Sequence, residues 1–338
     1  MIPKSICISF RIDEMTKRLL LLSNQPDDAS FLAELSDVAR ASFEVVQTPE
    51  EMVEIISKVN PTGIFIDVNE EKLLHAFEFA AQKRFGLFSE QLQAHRFHFI
   101  SNRPLQENRE VTKSPFFGTY FERPTEKLEE SADFYSRFLL AGETIETHDL
   151  KHFLSDQGNI QMITLVRSDQ KQEAAEAVRQ YLIQAKVPGR MANVVANAVD
   201  ELLMNAIFDA PTDDLGRLKY SSTERNQVRE LKDREQVKMS IGFDGFYVGV
   251  SIADYFGSLD RPRLLNHVSM DYREREYTLR RGLAGAGLGL AAVYNSGGSL
   301  IYHCEAGRKT EATLLYRAYD NFREFKNQFH FFSAKFYV

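Results

Sequence analysis

Apolar residues fall into short runs separated by amphipathic stretches, and from Arg18 to Leu140 the two kinds alternate. Arg18 to Ser23 reads as a short buried strand, and Pro26-Asp27-Asp28 after it as a helix start. From Ala29 to Ala41, the residues Phe31, Leu32, Leu35, Val38 and Ala39 make a helical stripe. Phe43 to Val46 predicts a strand. Thr48-Pro49-Glu50-Glu51 then supplies a cap, a first-turn proline and acids that favour the helix dipole, and the helix ends at Asn60-Pro61. Gly63 to Asp67 predicts a strand closing on an acid, and Glu70 to Phe85 a helix. Phe97 to Ser101 and Tyr120-Phe121 predict strands, and Thr125 to Leu140 a helix. This repetition predicts an α/β, doubly wound parallel sheet with helices on both faces. Such sheets gather ligand groups at the carboxyl ends of their strands. Those positions hold Ser23 and Asn24, Asp67, Ser101, and Arg123 with Pro124.

The pattern changes beyond residue 160. Gln161 to Val166 predicts a strand, Lys171 to Lys186 a helix stopped by Pro188-Gly189, and Met191 to Phe208 a longer helix. Residues 212–236 are polar and predict an exposed insertion. Val237 to Phe243 and Phe246 to Ala253 flank Asp244-Gly245, a hairpin signal, and Ser299 to His303 with Thr310 to Arg317 predict a second hairpin. Grouped strands with helices on one side make an α+β sandwich. The expected organisation is a first domain over 1–141, a linker over 142–160, a second domain over 161–321, and an aromatic tail over 322–338.

Composition narrows the function classes. With 338 residues, 43% of them hydrophobic, the chain can fill two cores. No apolar run approaches the ~18 residues of a membrane span. Asp13 and Glu14 fall where a signal peptide would need its apolar core, so a cytoplasmic protein is expected. Forty-one basic against 48 acidic residues, a net charge of −7, argues against a general nucleic-acid binder. Cys7 and Cys304 form no metal-ligand spacing and are expected to be buried thiols.

Residues 15 to 141 resemble a response-regulator receiver domain. Asp67 stands at the phospho-acceptor position, Ser101 where receivers carry Ser or Thr, and Arg123-Pro124 in place of Lys-Pro. The acidic pair that holds Mg²⁺ after the first strand is replaced by Ser23-Asn24. A hard dication needs charged oxygens, and phosphoryl transfer to a carboxylate leans on that metal. Two readings of Asp67 stay open: a phospho-acceptor, or part of a degenerate receiver used for docking.

Three segments of the second half carry candidate chemistry. Glu201, Asn205 and Asp209 are spaced by four on one helix face, where a carboxylate and a carboxamide could hold a divalent cation and orient a water. A solvent-facing polar stripe would look the same. Asp254 ends an apolar strand with Gly257 just beyond; it could accept from an exocyclic amine such as adenine's, or be an ordinary turn residue. Gly282, Gly285, Gly287 and Gly289 lead into a helix near Leu288, where bare N–H groups favour phosphate.

In this order, DELLMNA, ADYFG and GAGLGLA resemble the N, G1 and G2 boxes of the GHKL ATPases and kinases, whose ATP domain is the Bergerat sandwich. The resemblance covers about 155 to 320. It implies ATP (or ADP) with Mg²⁺ held through Asn205, Glu201 as acid or base at the γ-phosphate, and Asp254 on the adenine amine. It also implies Gly257 in the G1 box, Gly285, Gly287 and Gly289 at the phosphates, and Thr310 assisting adenine. Residues 258–284 would be the lid, with Arg280 and Arg281 as phosphate contacts. Tyr255 and Phe256 break the usual Asp-x-Gly-x-Gly pattern and stand to fill or reshape the purine pocket.

None of the eight histidines sits in a long helix beside an acid, as the phospho-histidine segment of sensor kinases requires. The second half therefore resembles anti-sigma-type serine kinases more closely. The expectation is a cytoplasmic two-component-style signalling regulator that binds ATP and phosphorylates or regulates a protein partner. The alternative is a non-catalytic scaffold with degenerate receiver and ATPase folds. The tail, with seven aromatics in residues 322–338, is expected to pack on its own domain or to form a homodimer surface.

Overall fold

The computed structural model describes residues 17–86, 92–141, 150–155, 159–220, 228–270 and 288–337. Four consecutive leucines, Leu19 to Leu22, explain the first half. Leu19 and Leu21 enter one core and Leu20 and Leu22 another, and none is more than 1% exposed. A strand covered on both faces has no use for alternating polar residues. This strand, β1 (Lys17–Leu22), pairs in parallel with β2 (Ala41–Val46) and β3 (Gly63–Asp67). β4 (Phe97–Ser101) and β5 (Thr119–Glu122) follow in parallel, giving the order 2-1-3-4-5. α1 (Pro26–Ala39) packs with α4 (Leu128–Ala141) over one face, and α2 (Pro49–Lys58) with α3 (Glu71–Phe85) over the other. The Thr48 hydroxyl caps α2 by accepting from the Glu51 N–H at 3.2 Å, as its sequence predicts.

The second half is antiparallel. β6 (Gln161–Leu165), β7 (Val237–Phe243), β8 (Tyr247–Asp254), β10 (Lys309–Arg317) and β9 (Ser299–Glu305) lie side by side in that order. The Asp244-Gly245 hairpin forms: Gly245 takes φ +96°, and the Asp244 carboxylate accepts from the N–H groups of Phe246 and Tyr247 at 3.0 and 2.7 Å. α5 (Gln170–Gln184), α6 (Gly189–Met204), α7 (Arg261–Val268) and α8 (Leu288–Tyr294) cover one face. α6 ends earlier than its apolar stripe suggests. Residues 205–209 form a π-helical turn, in which the Ala210 N–H reaches the Asn205 carbonyl at 2.9 Å. Cys304 is buried, as expected, and its thiol is pushed up by burial; Cys7 lies outside the described residues.

Among the described residues, the strands of the two halves form a single eleven-stranded sheet. The aromatic segment expected as a tail forms α9 (Phe322–Lys326) and β11 (Phe331–Tyr337), and β11 lies antiparallel to β5 and parallel to β9. Its side chains alternate between the two cores. Phe331 meets Phe138 and Tyr135 with ring centroids 4.6 and 5.1 Å apart, while Phe332 meets Tyr294 at 5.9 Å and Phe117 at 6.1 Å. Two fully buried hydroxyls, Thr119 and Ser333, hydrogen-bond across the β5–β11 seam at 3.0 Å. Among the described residues, no helix is long and apolar enough to cross a membrane.

Ending the chain at Asn321 removes this strand and opens β5 and β9 as edges, so cooperative urea unfolding followed by circular dichroism should disappear. Phe331→Ala alone should cost about 3–5 kcal/mol in the same measurement.

Candidate functional site

Two clusters of sequence-predicted residues assemble in different ways. At the carboxyl ends of β1, β3 and β5, Arg123 is buried between two carboxylates. Its Nε donates to Asp28 Oδ1 at 2.5 Å and its Nη2 to Asp28 Oδ2 at 2.9 Å, with Asp67 Oδ1 3.2 Å away. The Ser23 hydroxyl donates to Asp28 Oδ2 at 2.5 Å. Burial opposes the charge on Arg123, but Asp28 and Asp67 outweigh it and raise its pKa. Burial raises the pKa of Asp67, while the Asn69 N–H and Arg123 pull the other way. Ser101 turns aside: its hydroxyl donates to Asn69 Oδ1 at 3.0 Å. Asp28, only 1% exposed, reads in the sequence as a first-turn helix acid. Its place in the first turn of the helix that follows β1, near that strand's carboxyl end, was the signal for a larger role.

The second cluster is a narrow recess between the π turn after α6, the β8–β10 ladder and α7. Asn205, Asp209, Asp254 and Thr310 all line it, and its volume is about 60 Å³. Asp254 and Thr310 are direct cross-strand partners. Asp254 accepts from the Phe256 N–H at 2.9 Å and the Gly257 N–H at 3.4 Å, and burial pushes its carboxyl up to about 6. The Thr310 hydroxyl is near enough to offset part of that rise but lies outside hydrogen-bond geometry. Asn205 Nδ2 is likewise buried without a hydrogen-bond partner. Unpaired buried polar atoms are uncommon and costly, so two in one recess call for a physical reason.

The recess contains two groups that motif reading missed. Arg263 and His267 lie one turn apart on α7 and close its outer side. Burial and the Arg263 charge lower the His267 pKa. Tyr255 and Phe256 do not line the recess, contrary to the expectation from their bulk. Phe256 is 3% exposed and packs under Arg234, whose guanidinium is 4.9 Å from the ring centroid.

Glu201 sits one turn before Asn205, away from the recess lining, against the start of α8. A Cβ at Gly289 would fall 2.0 Å from Glu201 Oε2, so the carboxylate lies directly against this glycine and would have to turn aside for a larger residue. Gly257 takes φ +57° and abuts the β9–β10 turn, where a Cβ would lie 2.0 Å from the Glu305 carbonyl oxygen. Gly282, Gly285, Gly287, Arg280 and Arg281 lie outside the described residues.

No model of a known protein family matches the chain, and no curated protein matches it. Among solved structures, a chain of the SiaB-SiaC complex from Pseudomonas aeruginosa is similar at 16% sequence identity. The likeness covers 45% of this chain and 88% of that one, with a TM-score of 0.29.

Asp254 makes stability depend on pH. Its folded value near 6 exceeds the ordinary 3.8, so its contribution is full below about pH 4 and is lost as pH rises through 6. Asp254→Asn should therefore exceed wild type in stability by up to about 3 kcal/mol near pH 8, with the gap closing near pH 3.5, by urea titration. Arg123→Met should cost about 3–5 kcal/mol, because two buried carboxylates lose their counter-charge. Added Mg²⁺ should restore part of that stability in the variant and none in wild type.

Proposed function

We propose that the recess between α6, β8 and β10 is the base end of an ATP site in a Bergerat-type domain, and that the chain is a nucleotide-dependent signalling regulator of a protein partner. The observation that carries this reading is the unsatisfied pair, Asn205 Nδ2 and Thr310 Oγ1, facing the same recess as the buried Asp254 carboxyl. A purine edge presents an amine donor and ring-nitrogen acceptors, which complement a carboxylate and a hydroxyl on neighbouring strands. Gly285, Gly287 and Gly289, with Arg280 and Arg281, would receive the phosphates.

The donor set fits Mg²⁺ of the kind held mainly by nucleotide phosphates and water, with Asn205 Oδ1 as a protein ligand and its Nδ2 left to donate to the nucleotide. Bound there, the ion would neutralise phosphate charge. Glu201 would take the proton from an attacking hydroxyl of the partner as the new O–P bond forms and ADP leaves. In the first half, Arg123 supplies the positive charge that a receiver takes from a metal. This supports a degenerate receiver used for docking, with Asp67 held as an ion-pair partner rather than a phospho-acceptor.

A volume of about 60 Å³ admits a few waters and not a purine, so ATP must move α7 outward. Calorimetric titration of the full chain with ATP and Mg²⁺ should give saturable heat. Asp254→Asn should weaken binding about tenfold or more while remaining folded. Hydrogen exchange should rise in 261–268 on binding. Absence of heat at about millimolar ATP overturns the reading. Binding without turnover, or turnover that survives Glu201→Ala, removes the transferase step and leaves a nucleotide-gated binder.

A further inference from the structure

The helix that closes the recess is fastened to the other half of the protein through its first residue. α7 begins at Arg261 and places Arg263 and His267 in the recess wall. The Arg261 guanidinium reaches the connection between β4 and β5, where its Nη2 donates to the Ser114 carbonyl at 2.6 Å and to the Phe117 carbonyl at 3.4 Å. Arg261 is half-buried, burial lowers its pKa, and among the described residues no carboxylate pairs with it. An apolar side chain would fill the same place without the cost of desolvating a guanidinium. What the arginine adds is a directed bond between the halves.

The accepting segment is built into the first half at both ends. Ser114 and Phe117 are buried. The Ser114 carbonyl also accepts from the Phe117 N–H at 3.2 Å, and the Ser114 hydroxyl accepts from the Phe116 N–H at 3.2 Å. The Phe117 ring packs between Phe99 and Phe332, at centroid distances of 5.9 and 6.1 Å. Before Ser114, a 3₁₀ turn over Arg109–Lys113 leads back to Asn108. Asn108 Nδ2 donates to the Val68 carbonyl and to the Ser101 hydroxyl, both at 3.3 Å, at the carboxyl ends of β3 and β4. On the α7 side, the Asp260 carboxylate caps the helix by accepting from the Arg263 N–H at 2.8 Å. Arg261 and the recess-lining Arg263 therefore belong to one capped turn and move together.

We propose that Arg261 is a latch through which occupancy of the recess is read by residues 109–117 of the first half; this rests on the nucleotide reading of the recess. Outward movement of α7 draws Nη2 away from the Ser114 carbonyl, and a bond of 2.6 Å leaves hydrogen-bond range after about 1 Å of travel. Nucleotide entry then releases the 109–117 segment. By reciprocity, the latch opposes nucleotide binding to the same degree that the nucleotide opposes the latch.

Hydrogen exchange on the full chain, with and without ATP and Mg²⁺, should show faster exchange of the Val111, Ser114 and Phe117 amides on binding, since each is hydrogen-bonded within the segment. Arg261→Met, which leaves the Ser114 carbonyl its Phe117 donor, should raise exchange there before nucleotide is added. By calorimetry it should bind ATP about five- to tenfold more tightly than wild type. Arg261→Lys, which keeps a charged donor, should fall between the two. An arginine that only stabilised the fold would lower the unfolding midpoint without tightening ATP. The wild-type exchange needs no variant and decides the matter if Arg261→Met does not fold. Saturable ATP binding with the 109–117 amides unchanged, or with no gain in affinity in Arg261→Met, overturns the latch and leaves the nucleotide site standing. Absence of ATP heat in wild type and in both variants overturns the nucleotide reading and the latch with it.

Discussion

The pairing of β11 with β5 on one side and β9 on the other is the contact through which the two halves become one body. It runs antiparallel at one seam and parallel at the other, so one seven-residue strand joins two portions of the sheet that differ in construction. Phe331 and Phe332 carry the same link into the interior, one into each of the cores that flank the sheet. Strain or loss at β11 reaches both halves at once. For that reason the stability of neither candidate site belongs to its own half alone.

The two polar clusters illustrate opposite uses of burial. Around Arg123, both carboxylates find a guanidinium, and the Ser23 hydroxyl takes up a remaining lone pair. Such a network fixes structure and has little left with which to react. Around Asp254, the carboxyl is raised by burial and its neighbours Asn205 and Thr310 keep unused hydrogen-bonding capacity. A fold tolerates that cost where a ligand supplies the missing partners. The contrast between the two clusters, more than any motif, is what supports the proposal that the recess, and not the Arg123 cluster, takes a ligand.

Much of the fold was legible because local signals were strong. The leucine run of β1, the Thr48 cap and the Asp244-Gly245 turn each have a local physical cause. The union of the halves was not legible, since Phe331 and Phe332 reach the first half through contacts more than 190 residues away in sequence. The site divides in the same way. Asp254 and Thr310 stood out as residues and meet through strand register. Asp28, Arg263 and His267 did not, because a helix-start acid and two polar positions on a short helix carry no distinctive pattern. Glu201, Asn205 and Asp209 were expected on one helix face, but the helix gives way to a π turn at Asn205, and Asn205 and Asp209 line the recess while Glu201 faces Gly289.

The position of β11 also bears on how the protein is made. Synthesis delivers β1 to β10 before it, so both halves can collapse around their own helices while the facing edges of β5 and β9 are still open. Exposed edges of this kind pair readily with other chains. A nascent molecule is therefore most vulnerable to association between the completion of β10 and the emergence of β11. Rapid elongation, or a chaperone held over that interval, would protect yield without touching the stability of the finished protein.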